Sequence, residues 1–317
     1  MTRYLFAIFL VCLFSVSAFP RTIERHELQP VLAFVDSLGP MPGSPLKDIV
    51  AAFREAKFNE TETAYGLYCW VAQNIEFDYK AAAGKRKTRS TASATIIDRS
   101  AKGEGYANLY KALCDLARIE CVVIQGFAKA TADGIGILDE QQRHAWNAIR
   151  MSGTWYYVDA AWGAGFPEPR FKGFTKEFTD VWFMTDRDLF SLSHYPDEKQ
   201  WHFESETVTR WQYSNAPVIC AGAVLSEVFP FEETRGKLRG RRNTCKPLSF
   251  DVRKPELIKS VGVAIGEEIK AAEYSVYEND LLIEVPFEKA GDYTVSIYIN
   301  NKPAFRFKAS VADAYKR

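Results

Sequence analysis

The sequence predicts an α+β fold, with N-terminal helices packed on an antiparallel sheet and a β-sandwich-like region after them. Three observations predict it. Apolar residues recur at helical spacing through most of the first 117 positions. Two β-branched and aromatic runs then flank Ser152-Gly153, a turn-forming pair. Beyond Asn215, short alternating runs are separated by turn residues, the pattern of a small sandwich. At 317 residues the chain is long for one domain, and 47% hydrophobic content is enough for a sizeable core. Lys plus Arg and Asp plus Glu number 40 each, so no global charge points to nucleic acid.

Taken in order, Arg3 precedes an uninterrupted apolar run, Tyr4 to Phe14, and then Ser15-Val16-Ser17-Ala18. A charged start, a short apolar stretch and a small-residue end form a secretory signal peptide over 1–18. The run is too short to span a bilayer, and no later segment is long enough, so the sequence predicts a secreted protein without a membrane span. Glu24 to Leu38 and Leu46 to Lys57 carry helical spacing around the breaker cluster Gly39-Pro40-Met41-Pro42-Gly43. Together they form an N-terminal helical segment over 19–58.

A third helix opens at Asn59-Glu60-Thr61-Glu62, whose polar residues suit a helix N-terminus. In a secreted chain Asn59 is also a glycosylation acceptor. Lys80 to Ser93, with five basic or polar residues from Lys85 to Arg89, reads as a solvated loop. Helical pattern resumes at Glu104 and places Tyr106, Leu109, Tyr110, Leu113 and Ala117 on one face. Ile119 to Ala128 reads as a strand, and His144 to Arg150 with Trp155 to Asp159 as a hairpin. Strands are expected at Tyr274 to Tyr277, Leu281 to Val285, Tyr293 to Ile299 and Phe305 to Val311. Domain limits of 59–213 and 214–317 follow.

Cysteine usage adds little chemistry. Removing the signal leaves five cysteines, an odd number, so at least one thiol stays free or pairs with another chain. Cys220 and Cys245 lie in one region with a modest loop between them and are the expected disulfide in a secreted context. Cys69 and Cys114 fall on apolar helix faces and read as core thiols. No Cys/His cluster has zinc spacing, so neither metal nor cofactor is expected. The basic run from Arg235 to Lys246 reads as a solvated loop, with contact to a sulfated glycan or acidic partner as the sharper alternative.

The hairpin carries the chemistry. It brings His144 at the start of one strand towards Asp159 at the end of the next, opposite or nearly so. A carboxylate there fixes an imidazole's tautomer and stabilises its cation, which is the orienting role in a nucleophile-His-Asp site. The helix beginning at Glu104 is the natural place for the nucleophile, since its dipole favours thiolate.

Three blocks resemble the transglutaminase-like superfamily: Gly103-Glu104-Gly105-Tyr106-Ala107, His144-Ala145-Trp146-Asn147 and Val158-Asp159-Ala160-Ala161-Trp162-Gly163. The helix pattern from Tyr68 to Tyr79 is similar too. Trp182-Phe183-Met184, His194-Tyr195-Pro196-Asp197 and Trp201 resemble its kyphoscoliosis-peptidase branch. The resemblance runs from about Thr61 to Gln212 and implies a papain/transglutaminase-like core. It also implies His144 as general base, Asp159 as its orienting acid and a cysteine nucleophile at the position held here by Gly103. Glycine has no side chain to attack with, so the expectation is a pseudo-enzyme that holds an extracellular protein. Tyr106, Trp146, Trp155 and Trp162 are expected to wall its cleft. The alternatives are an active cysteine peptidase or glutamine-directed transferase with another nucleophile, and a hydrogen-bonded His-Asp pair kept only for packing. A carbohydrate binder using exposed Trp is a third, weaker reading.

Overall fold

The computed structural model describes residues 25–168, 171–203, 208–266 and 268–313; the expected signal peptide lies outside them. Helices α1 (Gln29–Leu38), α2 (Leu46–Glu55) and α3 (Glu60–Asn74) form the N-terminal layer. A connecting region holds α4 (Tyr79–Ala82), α5 (Ala92–Asp98) and the parallel pair β1 (Glu76–Phe77) and β2 (Ser100–Ala101). The expected solvated loop is therefore shorter than predicted, because Asp78 and Thr91 cap helices at its two ends. Then come α6 (Gly103–Ala117), β3 (Cys121–Ala128), β4 (Arg143–Met151) and β5 (Thr154–Val158).

The nine residues Ala64 to Ala72 of α3 are all buried. A helix covered on every side must find partners for its polar tips. Trp70 donates to the Gly39 carbonyl at 2.9 Å, and Tyr68 to that of Thr179 at 2.7 Å. From α6, Tyr106 donates to Ile75 O at 2.6 Å and Tyr110 to Ala64 O at 3.1 Å. These aromatic bodies fill the core while their tips stitch α3 and α6 to neighbouring backbone. Cys69 and Cys114 are buried among them as free thiols.

Against α6 lies an antiparallel sheet in the order β5-β4-β3-β8, where β8 is His194–Pro196. The β4–β5 hairpin turns at Ser152 and Gly153, both with positive φ, as a two-residue turn between twisted strands requires. Between the hairpin and β8 stand α7 (Ala160–Ala164), β6 (Gly165–Pro167), β7 (Phe174–Lys176) and α8 (Arg187–Ser193).

The chain then passes through α9 (Arg210–Asn215), β9 (Val218–Ile219), α10 (Ala221–Leu225) and β10 (Val228–Pro230). Two facing sheets are completed by β11 (Lys237–Arg241), β12 (Thr244–Val252), β13 (Val261–Ile265), β14 (Ile269–Ala271), β15 (Tyr274–Tyr277), β16 (Asp280–Phe287), β17 (Gly291–Ile299) and β18 (Lys302–Ala312). One sheet runs β10-β12-β16-β15; the other runs β11-β18-β17-β13-β14, with β9 also paired to β18. Alternation decides which face is inside: Leu281, Ile283, Val285 and Phe287 of β16 pack with Val295, Ile297 and Ile299 of β17. The same apolar cluster includes Trp146 and Phe190, so core packing is continuous between the two regions. Among the described residues no helix is long and apolar enough to cross a membrane.

Two expectations are corrected here. Cys220 and Cys245 are both free: Cys220 is buried beside β9 against β18, whereas Cys245 is exposed on β12 of the other sheet. Proximity in sequence did not become proximity in space, because the chain between them crosses from one sheet to the other. The basic run is not a loop either, since most of it lies in β11 and the start of β12.

At the head of α3, Asn59 Oδ1 accepts from Glu62 N at 2.9 Å, and Glu62 Oε2 accepts from Asn59 N at 2.8 Å. This reciprocal cap satisfies two donors that the helix cannot satisfy itself. Asn59→Ala should lower unfolding free energy by about 1 kcal/mol in urea titrations, whereas Asn59→Asp should stay close to the parent.

Candidate functional site

The site forms where three elements end together. His144 is the second residue of β4, Asp159 follows β5 and caps α7, and α6 begins at Gly103. In the hairpin Asn147 faces Val158, so Asp159 comes level with Trp146 rather than His144. The sequence-predicted opposition of His144 and Asp159 is therefore off by two residues. Parity keeps both side chains on the same face, and a diagonal neighbour about 7–8 Å away is within reach of an imidazole. The reach is made: His144 Nε2 lies 2.7 Å from Asp159 Oδ2.

Asp159 is almost wholly buried, and every lone-pair direction it offers is used. Oδ1 accepts from the backbone N–H groups of Ala161 at 2.9 Å and Trp162 at 3.0 Å. Oδ2 takes His144 and, at 3.0 Å, His194 Nε2. Burial alone would raise the carboxyl's pKa, but the two imidazoles outweigh it and hold the group well below the usual carboxylate range.

His194, which the sequence marks only through its family resemblance, is the third member of this cluster. It opens β8, stacks on Phe190 with ring centroids 3.9 Å apart, and its Nδ1 meets Ser193 Oγ at 2.8 Å. Burial pushes its pKa down to about 4 even though the carboxylate of Asp159 pulls upward. It stays neutral at ordinary pH and acts as a fixed hydrogen-bonding wall behind Asp159. The signal available in the sequence was the Ser-His-Tyr-Pro segment within an aromatic stretch.

Asn147 positions the helix. Its Nδ2 donates to Ala107 O of α6 at 3.0 Å and to Val122 O of β3 at 3.1 Å. The start of α6 is thereby held over His144. A Cβ placed on Gly103 would stand 2.3 Å from His144 Nδ1, far inside van der Waals contact. The imidazole thus occupies the room that a side chain at 103 would need. Among the described residues His144 Nδ1 has no hydrogen-bond partner.

His144 opens onto a groove of about 920 Å³. Lys85, Lys102, Gly103, Arg143 and Trp162 line it, opposed by Asp133, Asp139 and Glu140. Of the four aromatic residues expected to wall this cleft, only Trp162 does. Tyr106 and Trp146 are core residues, the latter against His194 and Phe190, and Trp155 packs edge-on to Trp201 elsewhere. Lys129, just beneath the rim, is fully buried and donates to the carbonyls of Tyr213 and Ala216 at the end of α9. Burial lowers its pKa to about 7.

No metal site was expected, yet His144, Asp159 and His194 bring one ligand atom each within 4.8 Å. Both imidazoles are spent on a single carboxylate oxygen, so the cluster is a closed hydrogen-bond network. A metal ion would have to displace both bonds. The arrangement can orient and polarise a group at His144 Nδ1. Cys114 lies on α6 eleven residues beyond Gly103, and burial holds its pKa high.

Residues 47–160 match the family model of the transglutaminase-like superfamily. Kyphoscoliosis peptidase of Mus musculus is 30% identical over 176 residues, covering 55% of this chain and 26% of that protein. The Homo sapiens kyphoscoliosis peptidase is 30% identical over 220 residues, covering 65% and 32%. Hillarin of Drosophila melanogaster is 31% identical over 128 residues, covering 37% and 16%. The chain thus spans about a quarter to a third of the kyphoscoliosis peptidases that it matches.

The buried pair dictates a pH dependence. Unfolding returns His194 to an ordinary value near 6.5, so between that and about 4 the unfolded chain binds a proton that the folded chain refuses. Stability should fall as pH falls through that window, on the order of 1–3 kcal/mol. Asp159, depressed in the fold, adds a further loss at lower pH. Urea titrations at pH 7, 5.5 and 4.5 read this slope, and His194→Gln should flatten its upper part.

Proposed function

We propose, from the premise that residues 47–160 belong to the transglutaminase-like superfamily on its kyphoscoliosis-peptidase-like branch, that this chain is a pseudo-enzyme. It is a secreted binding or scaffolding module that keeps the enzyme's cleft without its reaction. One observation carries the reading. At the head of α6, where the family resemblance puts the attacking cysteine, stands Gly103, and the His144 imidazole fills its side-chain space.

The remaining thiols do not replace it. Cys69, Cys114 and Cys121 are buried in the helical core, Cys220 is buried beside β9, and Cys245 is exposed on a strand of the C-terminal sheets. Without a nucleophile, binding and electrostatics alone leave only residual catalysis. The groove and the second region then serve to hold an extracellular protein, with 59–213 as the transglutaminase-like unit and 214–317 as its β-sandwich companion. Secretion is supported by the charged start and apolar run of residues 1–18. Arg239 on β11 and Lys246 on β12 are exposed cations available to an anionic glycan. On a heparin column the protein should elute late in salt; elution at low salt would remove the glycan from the reading.

The decisive assay incubates the protein with a thiol-directed probe, then with an amine donor and a Gln-rich acceptor protein. Background turnover is expected, and turnover that disappears in His144→Ala would overturn the proposal. Gly103→Cys should gain probe labelling at position 103 that His144→Ala removes. Its amide turnover should stay low, because the new Cβ must first displace the imidazole from Asp159.

A further inference from the structure

Beside the groove lies a second cavity, of about 150 Å³, that the dyad does not use. It shares Ala130, Trp162, Gly165 and Pro167 with the groove, so the two are neighbours. Its far wall comes from the C-terminal region: Ile219, Cys220, Leu225 and Pro303 face Trp162, Phe166 and Trp182. Trp162 and Trp182 meet edge to face with centroids 4.8 Å apart, and Trp162 also lies 4.4 Å from the His194 ring. Gly222 permits the close approach of α10 to β18, since a Cβ there would stand 2.6 Å from the Lys302 carbonyl oxygen.

Two features make this cavity a candidate site. Phe166 and Leu225 at its rim remain 40% and 43% exposed, an apolar mouth left uncovered beside indole walls. The cations at the rim are poorly matched. Arg306 has only a long contact of 3.5 Å to the Ala130 carbonyl, and Lys302 reaches Glu177 at 3.8 Å, the limit of an ion pair. Arg306 lines the cavity together with Cys220.

Size and charge together name the occupant. An apolar cavity of about 150 Å³ admits a benzene ring. Arg306 and Lys302 outnumber the one acid in the lining, Glu177, and select a carboxylate carried next to that ring. We propose that this cavity is a recognition pocket for an aromatic residue bearing a free carboxylate, as at the C-terminus of a peptide lying in the groove. The ring inserts against Trp162 and Trp182, and Arg306, assisted by Lys302, receives the carboxylate. The assignment deepens the binding-module reading and rests on it for the peptide's presence in the groove, whereas the pocket's chemistry stands on its own lining.

The test titrates the full chain with N-acetyl-phenylalanine, N-acetyl-phenylalaninamide and N-acetyl-alanine, following tryptophan fluorescence and calorimetry. N-acetyl-phenylalanine should bind at least roughly tenfold more tightly than the alanine compound, the value of burying a phenyl group. It should bind severalfold more tightly than its amide, and Arg306→Gln should erase that second difference. Ala221→Phe, which fills the cavity from α10, should abolish binding of all three. Leu225→Ala, at the exposed rim, should weaken phenylalanine binding severalfold, and it serves should the Phe variant misfold. Equal affinity for the phenylalanine and alanine compounds, or full affinity in both Ala221→Phe and Leu225→Ala, would overturn the pocket. Equal affinity for acid and amide would overturn the carboxylate assignment. These compounds require neither turnover nor a protein partner. Failure here leaves the pseudo-enzyme reading standing, and amide turnover in the assay above leaves the pocket standing.

Discussion

The carboxylate of Asp159 is the constraint on which this region depends. One oxygen begins α7, and the other holds two imidazoles from separate elements. A buried charge is tolerated only when it is fully paired and hydrogen-bonded. The β4–β5 hairpin, α7 and β8 must therefore arrive together, or the site carries an uncompensated anion. Removing one partner of such a network commonly destabilises by about 3–5 kcal/mol. That figure gives the His-Asp-His arrangement a structural value independent of any reaction.

This dual role separates the buried side of the network from its edge at Gly103. Gly103 touches only the exposed end of the network, at His144 Nδ1, whereas Asp159 and His194 lie within the core. A side chain absent from 103 leaves the interior hydrogen bonds intact. The imidazole thus presents Nε2 to Asp159 and Nδ1 to Gly103, opposite edges of one ring.

Much of this was legible in the chain. Ser152-Gly153 between two apolar runs gave the hairpin, and alternation gave β16, β17 and β18 within a few residues. Local patterns of this kind are set by side-chain period and turn chemistry, which one sequence displays directly. What stayed hidden was non-local. His194 lies 35 positions from Asp159, on a three-residue strand too short to show a period. The Cys220–Cys245 pairing failed because a short sequence interval spans two different sheets. Tyr106 and Trp146 were misplaced for another reason: aromatic residues beside a motif pack its underside as readily as they line its mouth.

The two-residue turn has a consequence for how this region can vary. Loops usually absorb insertions without loss, since lengthening them adds little entropy. Here a single added residue that shifted the pairing of β4 and β5 would turn Asp159 away from the face that carries His144. The anion would then be aimed into packing that has no donor for it. Length variation in this chain should therefore concentrate in the connection between β3 and β4 and be suppressed at Ser152-Gly153, even though the turn lies at the far end of the strands from His144.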